Sequence, residues 1–302
     1  MPNYVINTIA LTGKQSDLDS ICELLKNKTP DADEQIDFNN VVLIPNSMHL
    51  VAGGDARWYI ASYVRTLSDE EKRNLIQELL KYPAGFYKSY FHKYKEAFNE
   101  DIPVATIHRL EETFKRQYSA INPSSIEEVG KTYINNILNY GADTWYDWSN
   151  NNWGTKKNAM NSSISDNIIE FDTANSAALP ITEKLSKLYP DVRFSHEWAD
   201  EDIGQNCGRY VFKNGIVISE YLPQGKEAVA FACDKWGYDA VDYGVDINDY
   251  DFRDIVNDNM NIIDARENLP LKNMINSAMA VSPKEQAESV KTKTIESEQH
   301  LR

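Results

Sequence analysis

The chain has 302 residues, 42% of them hydrophobic, and a formal net charge of −15 at pH 7. Apolar content of that order builds a folded core, and no apolar run approaches the ~20 residues of a membrane-spanning helix. The negative field disfavours direct binding of nucleic acid, because no dense Lys/Arg cluster interrupts it, and a basic protein partner fits better. Cys22, Cys207 and Cys233 are too widely spaced for a disulfide framework or a four-ligand zinc site and read as buried thiols in a reducing compartment. The start at Met1-Pro2-Asn3-Tyr4 lacks a basic region followed by an apolar stretch, so a cytoplasmic location is expected.

Residues 4 to 11 alternate and stop at Thr12-Gly13, which predicts a strand. Leu18, Ile21, Leu24 and Leu25 recur at helical spacing, and Val41-Val42-Leu43-Ile44 before Pro45 reads as the next strand. From 55 to 141 the pattern is helical. Ser68-x-x-Glu71 and Ser124-x-x-Glu127 read as capping boxes, and Gly141 stands where a C-terminal cap belongs. Between the boxes Tyr82, Phe86, Tyr87, Tyr90, Phe91 and Tyr94 read as helix–helix core.

After a polar stretch, 168–172 reads as a strand, and Pro180 opens a helix burying Ile181, Leu185 and Leu188. Val192, Phe194, His196 and Trp198 alternate against Arg193, Ser195 and Glu197 as a strand with one apolar face. Asn214-Gly215 signals a two-residue hairpin, and Val229-Ala230-Phe231-Ala232 reads as a last strand. The expected fold is α+β, an antiparallel sheet backed by helices with a helical insertion. The expected division is 1–54 and 142–233 for the sheet, 55–141 for the insertion, 234–281 for an acidic segment and 282–302 for a disordered tail.

Three stretches carry a family resemblance: Pro2-Asn3-Tyr4-Val5 with Asn7; Trp145-Tyr146-Asp147-Trp148 with Asn152-Trp153-Gly154-Thr155-Lys156; and Trp198-Ala199-Asp200-Glu201-Asp202-Ile203-Gly204. Together they resemble the YubB-like (Api-type) proteins of phages and conjugative plasmids, over Met1 to about residue 235. The resemblance implies a ferredoxin-like domain and a mobile-element setting, and it transfers no activity residue by residue. Lys157 and Asn175 stand where that family usually carries tryptophan.

Candidate chemistry is sparse. His196-Glu197 resembles the first half of a zinc-protease motif, but Asp200 replaces the second histidine and the segment reads as a strand. Asp200-Glu201-Asp202 lacks the glycine of a calcium loop, and Gly130-Lys131-Thr132 lacks the first glycine of a phosphate loop. No metal and no cofactor is implied. The best surface candidates are Trp145, Trp148, Trp153 and Lys156, which could equally fill a structural seam, and the acidic run Asp246, Asp249, Asp251 and Asp254.

The expected role is an accessory protein binding a host protein, nucleic-acid-binding partners included, through the acidic or Trp-rich surface, with counter-defence as one setting. Two alternatives stay open. One is a hydrolase-like enzyme with a dispersed site of His196, Asp200 and Asp202. The other is a single-stranded nucleic acid binder whose sheet face carries Lys156, Lys157, Arg193 and Arg209.

Overall fold

A computed structural model describes residues 3–29, 34–53, 55–80, 102–117 and 124–245. The aromatic run from Tyr82 to Tyr94, the aspartates from 246 onward and the tail from 282 lie outside the described residues. The chain divides into two units at Leu43/Ile44 and at Trp148/Ser149. Among the described residues, those up to 43 and those of 149–245 form a sheet unit, and those of 44–148 form a helical unit.

In the sheet unit the strands are β1 (Tyr4–Thr12), β2 (Met160–Ser165), β3 (Ile168–Ala174), β4 (Arg193–Asp200), β5 (Cys207–Lys213) and β6 (Ile216–Tyr221), in the order β2-β3-β1-β4-β5-β6. β1 pairs antiparallel with both β3 and β4, so β3 and β4 run parallel with β1 between them. The helix α7 (Leu179–Leu188) joins them, giving a split β-α-β unit whose central strand comes from the far N-terminus.

The period-2 pattern of β1 places Val5, Asn7, Ile9 and Leu11 on one fully buried face. Phe171, Phe194, His196 and Trp198 lie on that face by register. α1 (Gln15–Leu25) buries Leu18, Ile21 and Leu25, and α7 buries Ile181 and Leu185. A chain of edge-to-face rings crosses this core, running Trp153, Phe38, Phe171, His196, Trp198, Tyr210, Phe212 with centroids 5.1 to 6.3 Å apart.

α8 (Lys226–Trp236) packs on the opposite face, where Ala228, Phe231 and Ala232 meet Ala199 and Cys207. This overturns the expected strand at 229–232. Three alanines at 228, 230 and 232 favour helix, and the burial of Ala228, Phe231 and Ala232 follows helical spacing. The expected strand at 41–44 is also overturned. Val41 and Val42 donate to the Phe38 carbonyl in a helical turn, and the Val42 carbonyl accepts the Trp153 indole N–H at 2.9 Å, so this backbone is occupied and Leu43 is exposed. Leu188, expected inside, is exposed at the C-terminal end of α7.

β2 was missed because Met160-Asn161-Ser162-Ser163-Ile164-Ser165 does not alternate. Its polarity has a use at a sheet edge. Ser162 Oγ accepts the Gln35 and Ile36 N–H groups at 2.9 and 3.2 Å, and Glu34 accepts the Asn161 and Ser162 N–H groups. The Asn214-Gly215 hairpin forms as expected, with φ of 50° and 72° joining β5 to β6.

The helical unit holds α2 (Ala56–Thr66), α3 (Asp69–Leu80), α4 (Val104–Gln117), α5 (Ile126–Tyr140) and the first turn of α6 (Trp145–Trp153). Its core joins Tyr59, Ile60 and Val64 to Leu110, Val129, Tyr133 and Ile137. α2 and α5 cross closely because Gly130 presents no side chain: a Cβ there would stand 1.9 Å from the Tyr59 carbonyl oxygen. The Ser68/Glu71 box is formed as read, with 2.7 Å from Ser68 N to Glu71 Oε2 and 3.3 Å from Glu71 N to Ser68 Oγ. The second box is one residue later than read, since Ser125 Oγ accepts Glu128 N and Glu128 Oε2 accepts Ser124 N.

Candidate functional site

His196 sits at the centre of the ring chain with no exposed surface. Its Nδ1 lies 2.7 Å from the Thr182 hydroxyl on α7 and its Nε2 lies 3.0 Å from Asn7 Oδ1 on β1. Burial pushes its pKa down to about 3, so the imidazole is neutral at pH 7. Asp200 is buried at the end of β4 and accepts from Asn3 Nδ2, Asp202 N and Asn206 Nδ2 at 2.9 to 3.1 Å, which folds the turn after the strand. Four residues along a strand span about 13 Å. His196 and Asp200 therefore do not converge, and Asp202 faces solvent. Among the described residues no group of three His, Cys, Asp or Glu is arranged to hold a metal ion.

Trp148 and Trp153 are each 4% exposed and serve as packing, while Trp145 is half-buried and stacks edge-on against Tyr146. Lys156 and Lys157 lie in the loop after α6, and Arg209 is buried, so these cations do not line one sheet face with Arg193. α2, α4 and α5 line an open pocket of about 620 Å³ whose wall sets Arg65 and Lys115 against Glu111 and Glu127, a balance that selects no charge class of ligand.

The most distinctive surface follows α8. Trp236, Tyr238 and Tyr243 form a ladder with centroids 6.3 and 6.2 Å apart and planes inclined by only 16° and 15°. The ladder is anchored at both ends. The Trp236 indole donates to the Asp200 carbonyl at 3.0 Å. Ala240 and Val245 are buried against Ala230 and Cys233, which closes the turn from beneath. Asp239 caps this 3-10 turn by accepting Val241 N at 3.0 Å. The outward side then carries Tyr238, Val241 and Tyr243 at 48%, 60% and 48% exposure, among exposed Asp234, Asp239 and Asp242. Asp239 and Asp242 are close enough to Cys233 to raise its thiol pKa, behind the larger effect of burial. Lys235, the neighbouring cation, is ion-paired with Glu197 on the sheet and does not offset these charges.

The acidic segment expected at 234–281 contains Asp239 and Asp242, whereas Trp236, Tyr238 and Tyr243 are joined only by the fold, because Gly237 ends α8 at φ 68° and the 3-10 turn Ala240–Tyr243 brings the last ring back.

The split β-α-β sheet and its packed helices define an α+β protein with a ferredoxin-like domain. Residues 150–251 match the family model of the ferredoxin-like domain in Api92-like protein, which supports kinship of this segment with the Api92-like proteins. Among solved structures the chain is similar to the crystal structure of protein api92 from Yersinia pseudotuberculosis, at 13% identity and a TM-score of 0.36, covering 74% of this chain and 99% of that one. No curated protein matches the chain. No described helix is long and apolar enough to cross a membrane.

Proposed function

We propose that the chain is a cytoplasmic accessory protein of a phage or plasmid that binds a basic host protein through the acidic, ring-bearing turn at 234–243, with interference in a host defence pathway as its setting. The observation that supports this reading is the pair of half-exposed, parallel tyrosines framed by carboxylates. Arg and Lys side chains satisfy both features at once, since a guanidinium stacks on a ring while its N–H groups reach a carboxylate. Nucleic acid would meet the same rings but would be repelled by the aspartates. The net charge of −15 extends that preference over long range and would speed encounter with a basic partner.

Titration calorimetry with a 12-residue peptide of Arg, Lys and Gly, beside its Gln-for-cation counterpart, tests the reading. Binding of the basic peptide alone is expected, weakened about tenfold in Tyr238→Ser/Tyr243→Ser and in Asp234→Asn/Asp242→Asn. Equal binding of both peptides, or variants that bind as the wild type does, would sink it.

A further inference from the structure

Arg209 stands in β5 opposite Glu197 of β4 and Tyr221 of β6, on the face where α8 packs. It is 5% exposed. Its Nε and Nη2, which form one edge of the guanidinium fork, are enclosed without a hydrogen-bond partner, and so is the neighbouring Tyr221 hydroxyl. The cross-strand carboxylate is engaged elsewhere, since Glu197 is held by Lys235 of α8. The Tyr221 ring lies 5.8 Å from Arg209 Cζ and offsets part of the charge, but a ring face cannot accept two in-plane N–H groups.

A buried guanidinium with one edge of its fork unpaired is a costly arrangement, and native structures satisfy such donors nearly always. In a chain with 46 acidic against 31 basic residues the anomaly is sharper, because carboxylates to pair with are plentiful. Nε and Nη2 present two parallel donors at the spacing of two oxygens on one carbon or phosphorus atom. We propose that Arg209 and Tyr221 form a binding site for a small oxyanion, a carboxylate or phosphate group, received by the guanidinium edge with the Tyr221 hydroxyl as third donor. Water would satisfy the hydrogen bonds but not the charge, which favours an anion. Entry requires local opening of α8, which meets the sheet here through Ala228, Phe231 and Ala232, the Lys235–Glu197 ion pair and the Trp236 indole on the Asp200 carbonyl. The site is independent of the Tyr238–Tyr243 surface.

Two measurements on the full chain decide it. Thermal unfolding is followed against sodium acetate and, separately, sodium phosphate, each compared with sodium chloride at equal ionic strength. A saturable rise in Tm beyond that of chloride is expected for at least one of them, and the more potent salt identifies the class. Tyr221→Phe should weaken the response about tenfold. Arg209→Met should lose the response and, without added oxyanion, be at least as stable as the wild type, since it removes an unpaired buried charge. Should Arg209→Met fail to fold, the Nε–H signal of Arg209 in a ¹⁵N spectrum of the wild type, assigned by its loss in Arg209→Lys, gives the answer alone: it should shift saturably with the oxyanion. A response no larger than that of chloride in both measurements, or one retained in Arg209→Met, overturns the proposal.

Discussion

Asn7 Oδ1 and His196 Nε2 lie 3.0 Å apart although 189 residues separate them, and this contact fixes the histidine's protonation. Oδ1 can only accept, so Nε2 carries the proton and Nδ1 accepts from the Thr182 hydroxyl. Asn7 spends its remaining capacity on Val5 O, Thr173 Oγ1 and the Ala178 N–H, which ties β1, β3 and the start of α7 to one side chain. A histidine so committed serves the fold.

The linkage follows directly. Burial lowers the folded-state pKa of His196 from 6.5 to about 3. The unfolded chain takes up a proton below pH 6.5 that the native state refuses, so its stabilising contribution is complete above that pH and is lost as the pH falls toward 3. One proton gives a slope of about 1.4 kcal/mol per pH unit across this window. Urea unfolding between pH 7 and 4 should show this slope in the wild type, over and above that of the carboxylates. His196→Gln, which keeps a polar group but cannot charge, should remove it. Equal pH profiles would mean that His196 is protonated in the native state.

How much of this was legible in sequence depended on where the deciding contacts lay. β1, β4 and the β5–β6 hairpin were readable because period-2 alternation and Asn214-Gly215 are local signals. The His196 environment was readable to the extent that its strand neighbours are apolar, but Asn7 and Thr182 as its partners depend on pairing across the whole chain. The segment 41–44 misled because β-branched residues favour a strand only when an edge is free to pair, and here Trp153 takes the Val42 carbonyl. The run 229–232 misled because four apolar residues fit either period, and its length was the weaker guide. The Tyr238–Tyr243 ladder and the Arg209 environment left no local trace, since each is assembled by a turn or a cross-strand register.

Gly130 tests how closely α2 and α5 must approach. A Cβ at this position would stand 1.9 Å from the Tyr59 oxygen and 2.6 Å from its carbonyl carbon, both backbone atoms that no rotamer change can move. Gly130→Ala should therefore cost about 3 kcal/mol or more from the clash, offset only in part by the roughly 1 kcal/mol gained from better helix propensity. Hydrogen exchange should show amides of α2 and α5 losing protection first. Unchanged protection there would mean that the two helices separate without penalty.

The two serines before α5 separate a cap from a neighbour. Ser125 has extended φ and ψ and its hydroxyl accepts Glu128 N, whereas Ser124 contributes its backbone N–H to the Glu128 carboxylate. Ser125→Ala should destabilise the helical unit by about 1 kcal/mol, and Ser124→Ala should cost less, because it removes an exposed hydroxyl bond to the Glu128 carboxylate while the Ser124 backbone N–H still holds that carboxylate. Denaturant midpoints of the two single variants suffice. The opposite order would return the cap to Ser124.

The position of β1 gives the last expectation. The matched domain segment 150–251 contains β3 and β4 but not the strand that lies between them. Expressed alone, that segment would leave both inner edges unpaired and the buried face short of Val5, Asn7, Ile9 and Leu11, with the His196 N–H and the Ala178 N–H deprived of the Asn7 acceptor. Open edges flanking an apolar face favour association over folding. Residues 150–251 should therefore aggregate or lack a cooperative urea transition, and a peptide of residues 3–13 added in trans should restore one by strand complementation. A scrambled peptide of the same composition should not, because register decides which side chains reach the core. A cooperative transition in the bare segment would show that β3 and β4 can pair without β1, and that the N-terminal strand extends the sheet rather than completing it.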